Sequence, residues 1–493
     1  MNPGRRPCVI GVARRTIHPG DGDAPEPLSL WEEMARAAAA DSGGRDVVRA
    51  IDDVNVVYTM SWTYDDAPGR LAERLGVGPG GRRLSGLSGT SPQKMLDDAA
   101  ERILAGETDL ALVTGAEVLA TKKRMKKAGV RAAWSHPPAE RPAMPFEDPF
   151  HPAEVAHQIF QAYLTFALFD LARRAHLGLT PEQNRDRLGE LFAPMSRIAA
   201  QNPHAWLREA HDARELVTVT PANRMVATPY PKHLVAIMDV DMAAALILAS
   251  DEKADALGVP KDRRVYLRGW GQTRDPVYVA ERAELWRSAG MREASRTALA
   301  MAGVGIDEIA HLDLYSCFGS SVNFARDALG IADSDPRPLT LTGGLPFHGG
   351  PGSNYLAHSV AALVEKLRED PRAFGLVSGV GMHMTNHVFA VYSAEPGAVA
   401  VPDPRAAQRR TDLASRVPII ARATGPARIA TCSVVHDHAG PSFGVAVCDL
   451  PDGGRCYARS EDPATLADLE AGERVGAEVA LEDAGSGVNR FVL

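Results

Sequence analysis

Short apolar or β-branched runs alternate with stretches of helical period along most of the chain. That alternation marks an α/β sheet. Strands are expected at Cys8–Ala13, Val54–Thr59 and Arg83–Leu87. Helices are expected over Leu30–Ala40 and over Ala67–Leu75, the second stopped by Gly76. Ser91-Pro92-Gln93 reads as a helix start, because Ser can cap and Pro suits the first helical position. Met95, Leu96, Ala99, Ala100, Ile103 and Leu104 then share one face, Gly106 ends the helix, and Leu110–Gly115 (LALVTG) reads as a buried strand.

The same order returns later in the chain. It runs strand Val265–Gly269, helix Leu285–Ala302, strand His311–Tyr315, helix Val322–Leu329 and strand Pro338–Leu341. A helix opened by Ser353 and the strand Phe374–Gly379 (FGLVSG) complete it. LALVTG and FGLVSG agree in Leu, Val and Gly, and Ser91 to Gly115 spans nearly the same distance as Ser353 to Gly379. The pattern is that of a duplicated α/β unit of about 120 residues per copy.

Between the copies, six prolines in residues 137–152 exclude regular structure. An aromatic helix with Phe160, Tyr163, Phe166 and Phe169 follows, and Met242–Ser250 reads as a buried strand of the first unit. Pro396–Arg410 reads as a linker. Beyond it come strand signals at 427–435, 443–450, 455–459, 473–481 and 490–493, with one helix signal at 463–469. Five strands with a short helix before the fourth predict a small barrel of the OB type.

Composition narrows the class. The 493 residues are 45% hydrophobic and 24% charged, the ordinary soluble mix. Five cysteines without a C-x-x-C pair exclude a disulfide scaffold and a structural zinc site. A formal charge of −8 argues against general nucleic-acid binding. The longest apolar run, Met242–Ala249, is too short to span a membrane. The apolar stretch among Arg5, Arg6, Arg14 and Arg15 is too short for a signal peptide, so a cytoplasmic protein is expected.

Several motifs reduce to loops. Gly76-x-Gly78-x-x-Gly81 follows a helix and precedes a strand, the reverse of a dinucleotide fingerprint. His383 and His387 have metal-ligand spacing, but Met384 stands where a general-base Glu would be and the segment reads as a turn. His436 and His438 fall in a hairpin loop, and no metal is expected. The run Lys122, Lys123, Arg124, Lys126, Lys127 and Arg131 fits either a solvated helix or loop or a contact with the phosphates of an anionic ligand, of which coenzyme A is one example. The glycine-rich segment from Gly343 to Asn354 and the segment Ser88-Gly89-Thr90-Ser91-Pro92 occupy equivalent places in the two copies, each before a helix. Such turns bring backbone amides close to an oxyanion or carbonyl.

These features together resemble the thiolase superfamily over about residues 5–395. The marks are SGTSPQ before the helix at 91, AGETDLALVTGAE, Asn202-Pro203-His204-Ala205-Trp206, Pro229-Tyr230-Pro231-Lys232, DLYSCF at 313–318, GGLPFHGGPGSNY at 343–355 and LVSGVG at 376–381. They are most similar to the thiolase-like protein type 1 group, which carries an extra C-terminal domain. The resemblance implies a duplicated βαβαβαββ thiolase fold in five αβαβα layers. Its expected parts are an N-terminal half (1–128 and 229–262), an inserted loop domain (129–228), a C-terminal half (263–397) and an OB-like barrel (411–493). It also implies acyl-CoA or coenzyme A as substrate or ligand, no tightly bound cofactor, and a homodimer or monomer.

The catalytic residues of that superfamily do not carry over. The acylated Cys falls on Gly89, the His of Gly-His-Pro on Gly350, and Cys-x-Gly on Gly379-Val380-Gly381. The Asn-Glu-Ala-Phe-type loop falls on Tyr315-Ser316-Cys317-Phe318. Glycine supplies neither nucleophile nor base. The remaining catalytic candidates are Ser91, Tyr315, Cys317 and His348. Gly89, Thr90, Gly349, Gly350, Gly379 and Gly381 are candidates for a backbone pocket, and Lys123, Arg124, Lys126 and Lys127 for coenzyme A phosphates. Three functions follow: an acyltransferase using other residues, a non-catalytic acyl-CoA or lipid binder, or a subunit recruiting a partner enzyme through the barrel. The barrel has few stacking aromatics (Phe443, Tyr457, Phe491) and no basic stripe, so nucleic acid is not expected there.

Overall fold

Among the described residues the strands are β1 (Pro7–Thr16), β2 (Asp53–Val56), β3 (Gly81–Leu84), β4 (Leu110–Val118), β5 (Met225–Ala227), β6 (Tyr230–Pro231), β7 (Asp241–Ser250) and β8 (Val265–Arg274). They continue as β9 (Ile309–Asp313), β10 (Phe374–Gly381), β11 (Asn386–Ser393), β12 (Gly425–His436), β13 (Pro441–Asp449), β14 (Arg455–Ser460), β15 (Glu478–Asp483) and β16 (Asn489–Val492). The structure, a computed structural model, describes residues 3–78, 80–140, 142–146, 150–399 and 403–493. Parts of the proline-rich stretch (141 and 147–149), of the linker (400–402) and of the Gly76–Gly81 loop (79) lie outside the described residues.

Nine strands form one sheet in the order β3-β2-β4-β7-β1-β8-β11-β10-β9. The first copy supplies β3-β2-β4-β7-β1, and the second supplies β8-β11-β10-β9, which is the same order in mirror sequence without its outermost strand. The halves join where Cys8 and Val9 of β1 pair with Tyr266 and Val265 of β8. β4 and β7 are buried at every residue, which explains their mainly apolar sequences.

The missing outermost strand corrects one expectation. Pro338–Leu341 is irregular. Pro336 and Pro338 have no amide to give a ladder. Leu314 N still donates to Leu339 O at 2.9 Å, but the amides of Leu341 and Thr342 go to the Asp313 carboxylate at 2.8 and 3.0 Å. Two helix starts also shift. Thr90 and Asn354 occupy the cap positions of the helices Ser91–Ala105 and Tyr355–Glu369, not Ser91 and Ser353. The expected linker contains a helix, Pro404–Thr411, capped by Asp403 and tied to the body by the Arg410–Glu293 ion pair at 2.5 Å. Phe160 precedes the insert helix Ala162–His176 and is exposed, whereas Phe166 and Phe169 are buried in it.

The C-terminal strands close into a small five-stranded barrel in the order β13-β14-β16-β15-β12, with β12 returning to β13. β14 and β16 run parallel, and the helix Pro463–Ala471 lies between β14 and β15 in sequence. Ile429, Cys432, Val434, Cys448, Cys456 and Phe491 fill its interior. The barrel is continued by the insert: Val435 of β12 pairs with Ala227 of β5, and Thr228 N donates to Val434 O at 2.9 Å. The seam with the body is largely apolar, Val435, Val445 and Val447 sharing a core cluster with Phe166, Leu168 and Val279, and its buried Tyr457 hydroxyl is satisfied: it donates to Glu154 at 2.7 Å and accepts from Ala280 N at 2.9 Å. No helix among the described residues is long and apolar enough to cross a membrane.

Candidate functional site

The two repeat-equivalent turns meet. Ser88 N donates to Ser353 Oγ at 3.1 Å, and Asn354 Nδ2 donates to Gly115 O at 2.8 Å. The contact leaves little space. A β-carbon added at Gly89 would fall well under 3.0 Å from the Val380 carbonyl oxygen and from the Tyr315 hydroxyl. At Gly379 it would run into Leu356 and Val388, and at Gly381 into Ser88 Oγ. At Gly350 it would press on Leu345 at 3.1 Å, and the Gly350 amide is already donated to Ile237 O at 2.7 Å. Gly349 has φ +101° and packs against Val240, Met242 and Trp206. The Thr90 amide is turned to Ser88 Oγ at 3.3 Å. These glycines are therefore packed with neighbouring atoms.

The candidate side chains are near but do not form a catalytic set. Ser91 Oγ donates to Gly86 O at 3.2 Å. Tyr315 lies edge-on to Tyr355 at 5.4 Å between ring centroids, and burial pushes its phenol up. Cys317 is buried, its Sγ 3.6 Å from Ser321 Oγ, and burial pushes the thiol up to about 12. A thiol so raised is not a ready nucleophile. All five cysteines are free and buried. His348 is fully buried, with Nδ1 3.2 Å from Gly349 O and Nε2 without a partner. Tyr355 packs edge-on against His348 as well, at 5.7 Å.

This burial has a pH consequence. Loss of water holds His348 down to about 3 and His204 down to about 4. An unfolded chain takes up these protons near the ordinary histidine value of about 6.5. The folded state binds fewer protons below that value, so stability is full above it and falls as the pH drops towards the folded values. The denaturation midpoint is expected to decline from neutral pH downwards. In His348→Leu the decline should be shallower by roughly 1.4 kcal/mol per pH unit. An unchanged slope in that variant rules His348 out as a source of the effect.

Several residues of the region were not singled out in the sequence. Asp313 is fully buried and accepts six hydrogen bonds: from Thr340 Oγ1, Leu341 N, Thr342 N, Thr342 Oγ1, Tyr355 Oη and Ser359 Oγ, at 2.8 to 3.2 Å. It anchors the start of the glycine-rich segment. Glu117, at the end of β4, accepts from Met60 N at 2.6 Å and from Ser61 N at 3.0 Å beside Gly352. Burial pushes its carboxyl up. An acid closing a buried apolar run was the available signal in both cases. His387 bonds Asp275 at 2.9 Å and approaches Ser288 at 3.3 Å, while His383 bonds Thr165 at 2.9 Å. The two imidazoles thus serve different partners.

The basic run forms the helix Leu119–Lys127. Lys123 pairs with Asp239, and Arg124 pairs with Asp23 at 3.1 Å and Asp241 at 3.2 Å. Lys126 lines a cleft of about 670 Å³ together with Trp62, Met125, Arg131 and Pro137. Lys127 is exposed.

The chain is similar over 79% of its length to acetyl-CoA acetyltransferase from Syntrophomonas wolfei, with 99% of that chain covered, TM-score 0.56 and 17% identity. It is similar over 80% of its length to human mitochondrial 3-ketoacyl-CoA thiolase, with 100% of that chain covered, TM-score 0.57 and 14% identity. Together with the mirrored strand order, these likenesses define a thiolase fold. The similarity to a monomeric SCP2-thiolase-like protein type 1 from Mycobacterium smegmatis covers 99% of both chains, at TM-score 0.87 and 34% identity. The chain belongs to the SCP2-thiolase-like protein type 1 family of the thiolase superfamily. No family model and no curated protein sequence matches it.

Proposed function

We propose that this chain binds an acyl-CoA on the thiolase fold without forming an acyl-enzyme. The observation that carries this reading is the packing of the Tyr315 hydroxyl and the Val380 carbonyl against Gly89. Acyl transfer through a covalent intermediate needs a nucleophile and a base within hydrogen-bonding reach. Gly89, Gly350 and Gly379 offer neither, and the Cys317 thiol lies too high to be a thiolate near neutral pH. We take the layers to be the αβαβα arrangement and the barrel to be of the OB type, on its strand order and on the helix between its third and fourth strands. The barrel's polar contacts with Glu154, Thr228 and Ala280 support intramolecular docking over recruitment of a partner enzyme. We take the chain to act as a monomer on the same ground.

Intact-mass spectrometry after incubation with acetyl-CoA is expected to give no adduct, while titration calorimetry with coenzyme A gives saturable heat. An acyl adduct on Ser91 or Cys317 would overturn the reading, as would thiolysis of acetoacetyl-CoA by the pure protein. Within this reading Lys126 and Lys127 contact the phosphates. Lys126→Glu/Lys127→Glu is expected to weaken coenzyme A binding by about tenfold, more at low salt. Unchanged affinity would remove the basic helix from the site.

A further inference from the structure

A cleft of about 640 Å³ lies between the insert helix Pro181–Gln201 and the segment 332–340 of the second half. That volume suits a small-molecule ligand. No residue converging on Gly89 lines it. Its apolar lining is the half-buried Leu191 and Ile198 of the helix with Leu339, backed by the buried Leu188 and Met195. The spacing of three and four residues puts the four helix side chains on one face. The polar lining is mixed: Arg187, Glu190 and Arg197 stand on the same helix, Arg326 on the helix Gly319–Leu329, and Asp333, Asp335 and Arg337 on the facing segment, where Arg337 and Asp335 pair at 2.6 Å. Arg187 Nη1 reaches one oxygen of Asp333 at 3.4 Å, and Arg326 Nη2 reaches the other at 2.6 Å. Arg326 is 9% exposed, and its Nε is buried with no hydrogen-bond partner. Asp333, by contrast, is a loop residue whose side chain is 63% exposed. Arg197, which also lines the cleft, is exposed and has no ion pair among the described residues.

A half-satisfied buried guanidinium is costly, whereas an exposed ion pair contributes little. The two arginines therefore present a fork that already accommodates a planar carboxylate, and the group now in it is weakly anchored. An incoming carboxylate that exchanged with Asp333 would keep both existing contacts, which suit a planar acid. The apolar lining then asks for a hydrocarbon body behind the head group. We propose that this cleft binds a lipophilic carboxylate, a fatty or steroid acid, whose head group replaces Asp333 between Arg187 and Arg326. Asp333 acts as an internal competitor that lowers the affinity for the acid. The site is independent of the acyl-CoA reading above.

The test is a fluorescence titration of the full chain with dansyl-labelled undecanoic acid, followed by competition with laurate, cholate and acetate. Saturable binding is expected, displaced by laurate or cholate and not by acetate. The better competitor distinguishes a fatty from a steroid acid. Asp333→Ala is expected to tighten binding several-fold, because it removes the competitor and leaves the fork. Arg326→Gln should weaken it about tenfold and cancel the gain in the double variant. Ile198→Trp, which fills the cleft without touching the fork, should abolish it. Binding that is unchanged or weaker in Asp333→Ala overturns the proposal, as does the lack of saturable binding or equal competition by acetate. A merely structural Arg187–Asp333–Arg326 network gives no gain on losing the acid, so the direction of the Asp333 effect decides.

Discussion

Gly89→Cys should yield a protein that is less stable and, on the function proposed above, without thiolase activity. The new β-carbon would meet the Val380 carbonyl oxygen, which is backbone in β10, and the hydroxyl of the buried Tyr315. Neither can swing away freely. Overpacking of this kind costs about 1–3 kcal/mol. Nor would the thiol find a base. His348 is buried, held down to about 3 by loss of water, with Nδ1 against Gly349 O. Tyr315→Ala opens room beside the new side chain, so Gly89→Cys should cost less in the Tyr315→Ala background than in the wild type. Denaturation midpoints of the four proteins in that cycle measure the coupling. Full stability in Gly89→Cys alone would mean the turn has space, and the proposed function would lose its main support.

The second large effect is expected at Asp313. Asp313→Ala would strip the acceptor from four hydroxyl bonds and two amide bonds in a fully buried setting. Breaking a buried charged network of this kind costs about 3–5 kcal/mol. Asp313→Asn should cost clearly less. Its one oxygen can take the place of Oδ2, which serves Thr340, Leu341 and Thr342, while its amide donates to the hydroxyls of Tyr355 and Ser359, which can turn to accept. Chemical denaturation would rank the three proteins. Near-native stability in Asp313→Ala would show that water replaces the carboxylate.

The repeat and the sheet were readable because the hydrophobic pattern is strong where strands are wholly buried. β4 and β7 admit almost no other reading, and the helix Ala67–Leu75 ends at Gly76 as its pattern predicts. The barrel was readable for a related reason: its strands are short, separated by turn residues and interrupted by one helix. The cap assignments at Ser91 and Ser353 went wrong because both hydroxyls serve other contacts, Ser91 with Gly86 O and Ser353 with Ser88 over 265 residues of chain. Local pattern carries no information about such partners. Pro338–Leu341 looked like a strand by analogy with the first copy, yet the Leu341 amide and that of Thr342 beyond it go to a side chain, Asp313. At the candidate site, the glycine-rich turns were visible in sequence. That Tyr315 packs against Gly89 was not, since it depends on two loops from different halves meeting.

The pairing of β5 with β12 bears on how the chain is made. Ala227 and Val435 are about two hundred residues apart, so β5 leaves the ribosome long before its partner does. At roughly 5–20 residues per second the delay is on the order of 10–40 s. Through that interval the edge formed by Met225–Ala227 and Tyr230–Pro231 has only two of its sheet's seven strands, which is the circumstance in which an unpaired edge recruits the wrong neighbour. The nascent chain's hazard is thus concentrated in one short ribbon, and synthesis speed between the insert and the barrel becomes a determinant of yield.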